Sequence, residues 1–133
     1  MNSIFSVSAD FGNLPLWIHA FSPLNLEDIK AMDGMSKRHP QVPVIIGHLG
    51  GIYWRETIEL VRGNRNLYLD LSSAYTVIAP AMAVRELPER TLFSSDAPYG
   101  DPFLNRQMIE RATPDKEVRK LVLGDTIARL IGL

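Results

Sequence analysis

Four short apolar runs, at residues 16–18, 42–46, 67–71 and 91–93, alternate with segments of helical pattern, and this alternation constrains the fold more than any other feature of the chain. Each run is bounded on at least one side by Pro, Gly or Asn, which marks it as a strand. The hydrophobicity of VPVIIG and NLYLDL is nearly continuous, as expected of strands covered on both faces in a parallel sheet. Between the runs, residues 25–38 open on Asn25 as a cap, place Glu27 and Asp28 at the positive end of the helix dipole, and close on Lys37 and Arg38. Residues 52–61 set Ile52, Ile58 and Val61 at helical spacing, residues 79–87 stop against Pro88, and residues 102–111 follow an Asp-Pro cap. Two last helical segments, 115–123 and 126–131, are separated at Gly124. Regular alternation of this kind implies parallel strands joined by right-handed crossovers, hence a doubly wound sheet or a segment of a barrel.

Composition narrows the class. With 46% hydrophobic and 22% charged residues, the chain reads as one domain, 1–133, able to build a core without disulfides. Its 14 basic and 15 acidic residues are interspersed along the helices, which argues against a nucleic-acid partner. The absence of cysteine restricts any metal site to imidazole and carboxylate ligands. No apolar stretch reaches membrane-spanning length and the N-terminal segment has no basic residue of the signal-peptide kind, so a cytoplasmic protein without a membrane partner is expected.

The polar residues fall at particular places. His19 in LPLWIHAF, His48 in VPVIIGHLGG and Asp96 in LFSSDAP each stand at the C-terminal end of a strand, and the third strand offers Asp70, Ser72 and Ser73 in LYLDLSS. In a parallel barrel those ends form one mouth, where active sites are built. Neutral imidazole and carboxylate suit zinc, iron or manganese, and a metal so held makes hydroxide available near neutral pH. Taken singly, a strand-end histidine can serve a backbone carbonyl and Asp96 can cap a turn. Three such residues at equivalent positions point instead to a site. Alternation puts Asp70 and Ser72 on one face, and Ser72 and Tyr99 are the candidates for substrate contact at the rim. Trp17, Tyr53, Trp54 and Tyr75 read as packing, His39 as an exposed helix terminator, and Gly50 and Gly51 as a turn that lets a helix start close to its strand.

WIHAF, VIIGHLGG, NLYLDLSS, LFSSDAPYGDP and the closing GDTIARLIGL together resemble, in order and spacing, the C-terminal half of the amidohydrolase-related family of metal-dependent TIM-barrel hydrolases, which also includes decarboxylases. The resemblance implies a parallel (β/α) repeat equal to about half of a TIM barrel, strands five to eight, plus a C-terminal helix. It implies that His19 ligates a divalent metal, zinc in the first instance, that Asp96 is both ligand and catalytic base, and that His48, a catalytic candidate, either binds metal or contacts a small-molecule substrate. The expected activity is attack of water on an amide, ester or lactone carbonyl, with decarboxylation or a catalytically incompetent assembly domain as alternatives. Thr126 and Ile127 stand where the family more often has an Asn-Ala pair.

The family's first-strand His-x-His pair is not in this sequence. A complete barrel takes about 250 residues, and a four-strand arc leaves two open edges. The expectation is therefore a homodimer that closes one ring, or association with a missing N-terminal half.

Overall fold

The four apolar runs become the four strands of one sheet. A computed structural model describes residues 2–74 and 76–133; the expectation for Tyr75 lies outside them. Strands β1 (Leu16–Ile18), β2 (Val44–Ile46), β3 (Leu67–Asp70) and β4 (Thr91–Leu92) lie side by side in chain order, and each neighbouring pair is parallel. A doubly wound sheet would reverse its strand order at a switch point. Unbroken sequential order with a helix in every crossover is the arrangement of a barrel arc, about half a ring.

Register explains the two faces. Leu16, Val44 and Leu67 form one row, and Ile18, Ile46, Leu69 and Thr91 another. Both rows turn toward the helices, and Val44, Ile46, Leu67, Leu69 and Thr91 are fully buried there. They pack with Ile29 and Met32 of helix α2 (Leu26–Arg38), Ile58 and Val61 of α3 (Trp54–Gly63), and Ala83 and Val84 of α4 (Ile78–Glu86). Each fully buried Leu or Ile side chain contributes about 1.5–3 kcal/mol relative to exposure. The alternate row, Trp17, Ile45 and Tyr68, looks into the concave side, where Trp17 is 48% exposed.

Local chemistry fixes the element ends. Asn25 accepts from the amides of Glu27 at 2.8 Å and Asp28 at 3.3 Å, while the Asp28 carboxylate accepts the Asn25 amide at 2.8 Å, a complete capping box. Asp101 caps helix α5 (Pro102–Ala112) by accepting from Phe103 at 2.7 Å and Leu104 at 3.2 Å. β2 starts at Val44 because Pro43 has no amide proton for the ladder, and its carbonyl instead accepts the Leu16 amide at 2.9 Å.

Three features depart from the sequence expectation. Residues Asn2–Asp10 form a helix, α1, whose Phe5 is buried and stacks on His39 at 4.9 Å, so His39 is half-buried rather than an exposed terminator. Residues His48 to Gly51 all have positive φ, a left-handed run that delays α3 to Trp54. Finally, Gly124 does not break the C-terminal helix: α6 (Lys116–Lys120) passes through a π turn (Leu121–Asp125) into α7 (Thr126–Ile131). Within that looser turn the Val122 carbonyl accepts the Phe93 amide at 2.8 Å, anchoring the helix to the end of β4.

Candidate active site

The C-terminal ends of the strands carry the groups that the sequence singles out. His19 follows β1 and is exposed, with its Nε2 at a long 3.4 Å from the Ser22 carbonyl. His48 follows β2 and is only 6% exposed. The two imidazoles meet edge to face with ring centroids 5.0 Å apart, and both lie against Trp17, at 6.4 Å from His19 and 5.3 Å from His48. Phe21 adds a second aromatic wall, 6.3 Å from His19 and 5.7 Å from His48. Trp17 can lie flat across β2 because residue 47 is glycine: a Cβ there would stand 2.5 Å from the indole.

His48 is held from behind by β3. Its amide donates to Asp70 Oδ1 at 3.0 Å, and its Nδ1 lies 2.8 Å from Ser72 Oγ. Ser72 donates both its amide, at 3.1 Å, and its hydroxyl to the same Asp70 oxygen. Asp70 and Ser72 are 3% and 1% exposed, so this network is dry. Ser72, expected at the substrate rim, thus sits behind His48 with its hydroxyl committed to Asp70.

Ser73 serves the other neighbour. Its hydroxyl donates to Asp96 Oδ2 at 2.7 Å, while the Asp96 carbonyl accepts the amides of Tyr99 at 2.8 Å and Gly100 at 3.0 Å. Strict alternation would send Ser73 to the face opposite Ser72. Its φ of 50° turns the chain at that residue, and His48 and Asp96 share the left-handed conformation at 54° and 59°. Non-glycine residues of this kind carry about 1–3 kcal/mol of strain each and gather at functional sites. Sequence periodicity does not reveal Ser73; the Ser-Ser pair directly after a strand is the one visible signal. Tyr99, the other substrate candidate, is 92% exposed on the turn after Asp96.

The donor chemistry of His19 and Asp96 fits a divalent cation, since both imidazole nitrogen and carboxylate oxygen are ordinary ligands. Among the described residues, however, no group of three or more His, Asp or Glu side chains is assembled to hold one. Charge pairs also form away from these strand ends, at the C-terminal ends of α3 and α4. There Arg62 is held above the ordinary guanidinium range by Glu59 and then Glu86, and Glu86 is pulled below the carboxylate range first by Arg85. Among the described residues, no helix is long and apolar enough to cross a membrane.

Comparison with known proteins gives one family and one architecture. The amidohydrolase family model matches residues 11–133. No curated protein matches the sequence. Among solved structures, an uncharacterised TIM-barrel protein from Bordetella bronchiseptica superposes with a TM-score of 0.81 at 16% identity, over 98% of this chain and 50% of that one. A 5-carboxyvanillate decarboxylase from Sphingomonas paucimobilis matches with a TM-score of 0.69 at 20% identity, over 98% and 52%. An amidohydrolase from Burkholderia multivorans with bound zinc matches with a TM-score of 0.70 at 15% identity, over 99% and 56%. The chain thus spans about half the length of these barrels.

Proposed function

The chain belongs to the amidohydrolase family, and on that premise we propose that it carries half of a metal-dependent hydrolytic site acting on the carbonyl of a small amide, ester or lactone. The observation that supports this reading best is the placement of His19, His48 and Asp96 at three strand ends of one arc, with His48 and Asp96 each tied to one of two adjacent serines. His19 and Asp96 would contribute to holding a divalent metal, zinc in the first instance, which when bound supplies Lewis acidity and an activated water. Asp96 takes the proton of the attacking water at its carboxylate, which Ser73 orients. His48 first accepts a proton from solvent; as imidazolium it polarises the substrate carbonyl or returns that proton to the leaving group. The rest of the ligand set and of the ring comes from an N-terminal half of the same barrel or from a second copy of the chain, pairing at the edges β1 and β4.

Decarboxylation is the second reading, favoured by the two aromatic walls: Trp17 and Phe21 flank both imidazoles and suit a planar aryl carboxylate. The fold is also that of a 5-carboxyvanillate decarboxylase. One experiment separates the two. Protein loaded with zinc or manganese is assayed on ester, lactone and amide panels and, in parallel, for carbon dioxide release from aryl carboxylates. Turnover of the first panel, lost in Asp96→Asn with the fold intact, supports the hydrolase. Carbon dioxide release supports the lyase and overturns the hydrolase. Metal-replete protein that stays inactive on both panels once its ring is completed, by an N-terminal half of the same barrel or as a dimer, overturns both readings.

A further inference from the structure

The network behind His48 has a consequence for its protonation pattern. Asp70 Oδ1 receives the amides of His48 at 3.0 Å and Ser72 at 3.1 Å, and an amide N–H can only donate. That oxygen is therefore an acceptor, and the Ser72 hydroxyl that also reaches it must spend its single hydrogen there. What Ser72 Oγ has left for His48 Nδ1, 2.8 Å away, is a lone pair. The proton in that contact belongs to the imidazole. We propose that Asp70 and Ser72 are positioning residues that fix neutral His48 as the Nδ1–H tautomer and leave Nε2 bare, as a proton acceptor or ligand.

Packing makes the choice binding on the ring. Trp17, Phe21 and His19 surround His48 with centroids 5.3, 5.7 and 5.0 Å away, so the imidazole has little freedom to turn and exchange its two nitrogens. The same carboxylate fixes the backbone: Asp70 holds the amide of His48, whose φ of 54° would otherwise relax. One carboxylate thus sets both where the ring stands and which of its nitrogens carries hydrogen. In the neutral enzyme His48 cannot donate from Nε2; it must first accept a proton there, which gives the transfer in the proposed function a direction. The catalytic value of the relay rests on that reading, whereas the tautomer itself does not.

The test is long-range proton–nitrogen correlation spectroscopy of the protein labelled with nitrogen-15 in its histidine rings, recorded at alkaline pH where imidazole is neutral. His48 is expected to show a pyrrole-type Nδ1 and a pyridine-type Nε2. Ser72→Ala should move the ratio toward the Nε2–H form by about fivefold, the loss of one ordinary hydrogen bond, and Ser72→Thr, which keeps the hydroxyl, should restore it. A wild-type spectrum with a pyridine-type Nδ1 overturns the proposal without any variant, as does a ratio unchanged in folded Ser72→Ala. Because the readout is spectroscopic, the relay stands or falls on the tautomer alone, whatever the two activity panels return.

Discussion

Replacing Asp70 by alanine should bring the chain to the edge of unfolding, whereas Asp70→Asn should leave it folded. Asp70 Oδ1 accepts the amides of His48 and Ser72 in a pocket where the carboxylate is only 3% exposed. Each buried amide left unmade costs about 1–3 kcal/mol, so the alanine variant loses about 2–6 kcal/mol from these two donors alone. The Ser72 hydroxyl can rotate toward another acceptor and adds little. Against the net stability of about 5–15 kcal/mol ordinary for a folded chain, that loss is severe. Asparagine keeps an oxygen in the same place and forfeits only the charge assistance of the bonds, about 1–2 kcal/mol in total. Urea denaturation followed by far-ultraviolet circular dichroism, at an unchanged slope, measures both differences. A loss below about 1 kcal/mol in Asp70→Ala, or an Asp70→Asn as damaging as alanine, would refute the reasoning.

Two further substitutions probe other joints. Thr126 is fully buried and its Oγ1 has no hydrogen-bond partner among the described residues; the nearly isosteric Thr126→Val should therefore stabilise by about 1 kcal/mol, seen as a melting temperature a few degrees higher, and a fall in stability would show that the hydroxyl has a partner. Gly50 has a φ of 79°, and a Cβ there would collide with the Thr57 side chain. Gly50→Ala should lose about 2–5 kcal/mol from strain and overpacking together, and a near-wild-type unfolding midpoint would count against the left-handed run at 48–51.

The elements that sequence periodicity placed are those whose stability comes from a continuous apolar face. β1 falls where expected, and residues 42–46 lose their first two positions only because Pro43 cannot enter the ladder. The α1 helix is a different case. Its one fully buried hydrophobic side chain, Phe5, stands among serines, joins the hydrophobic core and stacks on His39, which the chain brings back from the far end of α2. No local pattern announces a contact of that range. Gly124 misled for the opposite reason: glycine weakens a helix by about 1 kcal/mol but does not end one whose neighbours are packed, and Val122 is buried against the end of β4.

The candidate site divides along the same line. That His19, His48 and Asp96 stand at strand ends is readable, because a strand end is a boundary between apolar and polar sequence. What couples them is not, because it depends on backbone that leaves the extended region. Extended geometry through Ser72 and Ser73 would give one hydroxyl to each face of the arc. With φ at 50° on Ser73, consecutive residues instead reach in two lateral directions, Ser72 to His48 on the β2 side and Ser73 to Asp96 on the β4 side. Four non-glycine residues at these strand ends, His48, Leu49, Ser73 and Asp96, hold left-handed φ, a strain of several kcal/mol if each carries about 1–3. The three hydrogen bonds on Asp70 Oδ1, the Ser73 bond to Asp96 and the two amides on the Asp96 carbonyl oppose it. Those bonds run between residues of this chain, so the relative placement of His48 and Asp96 is set within the half ring. Both groups are thus aimed from one place, the tip of β3.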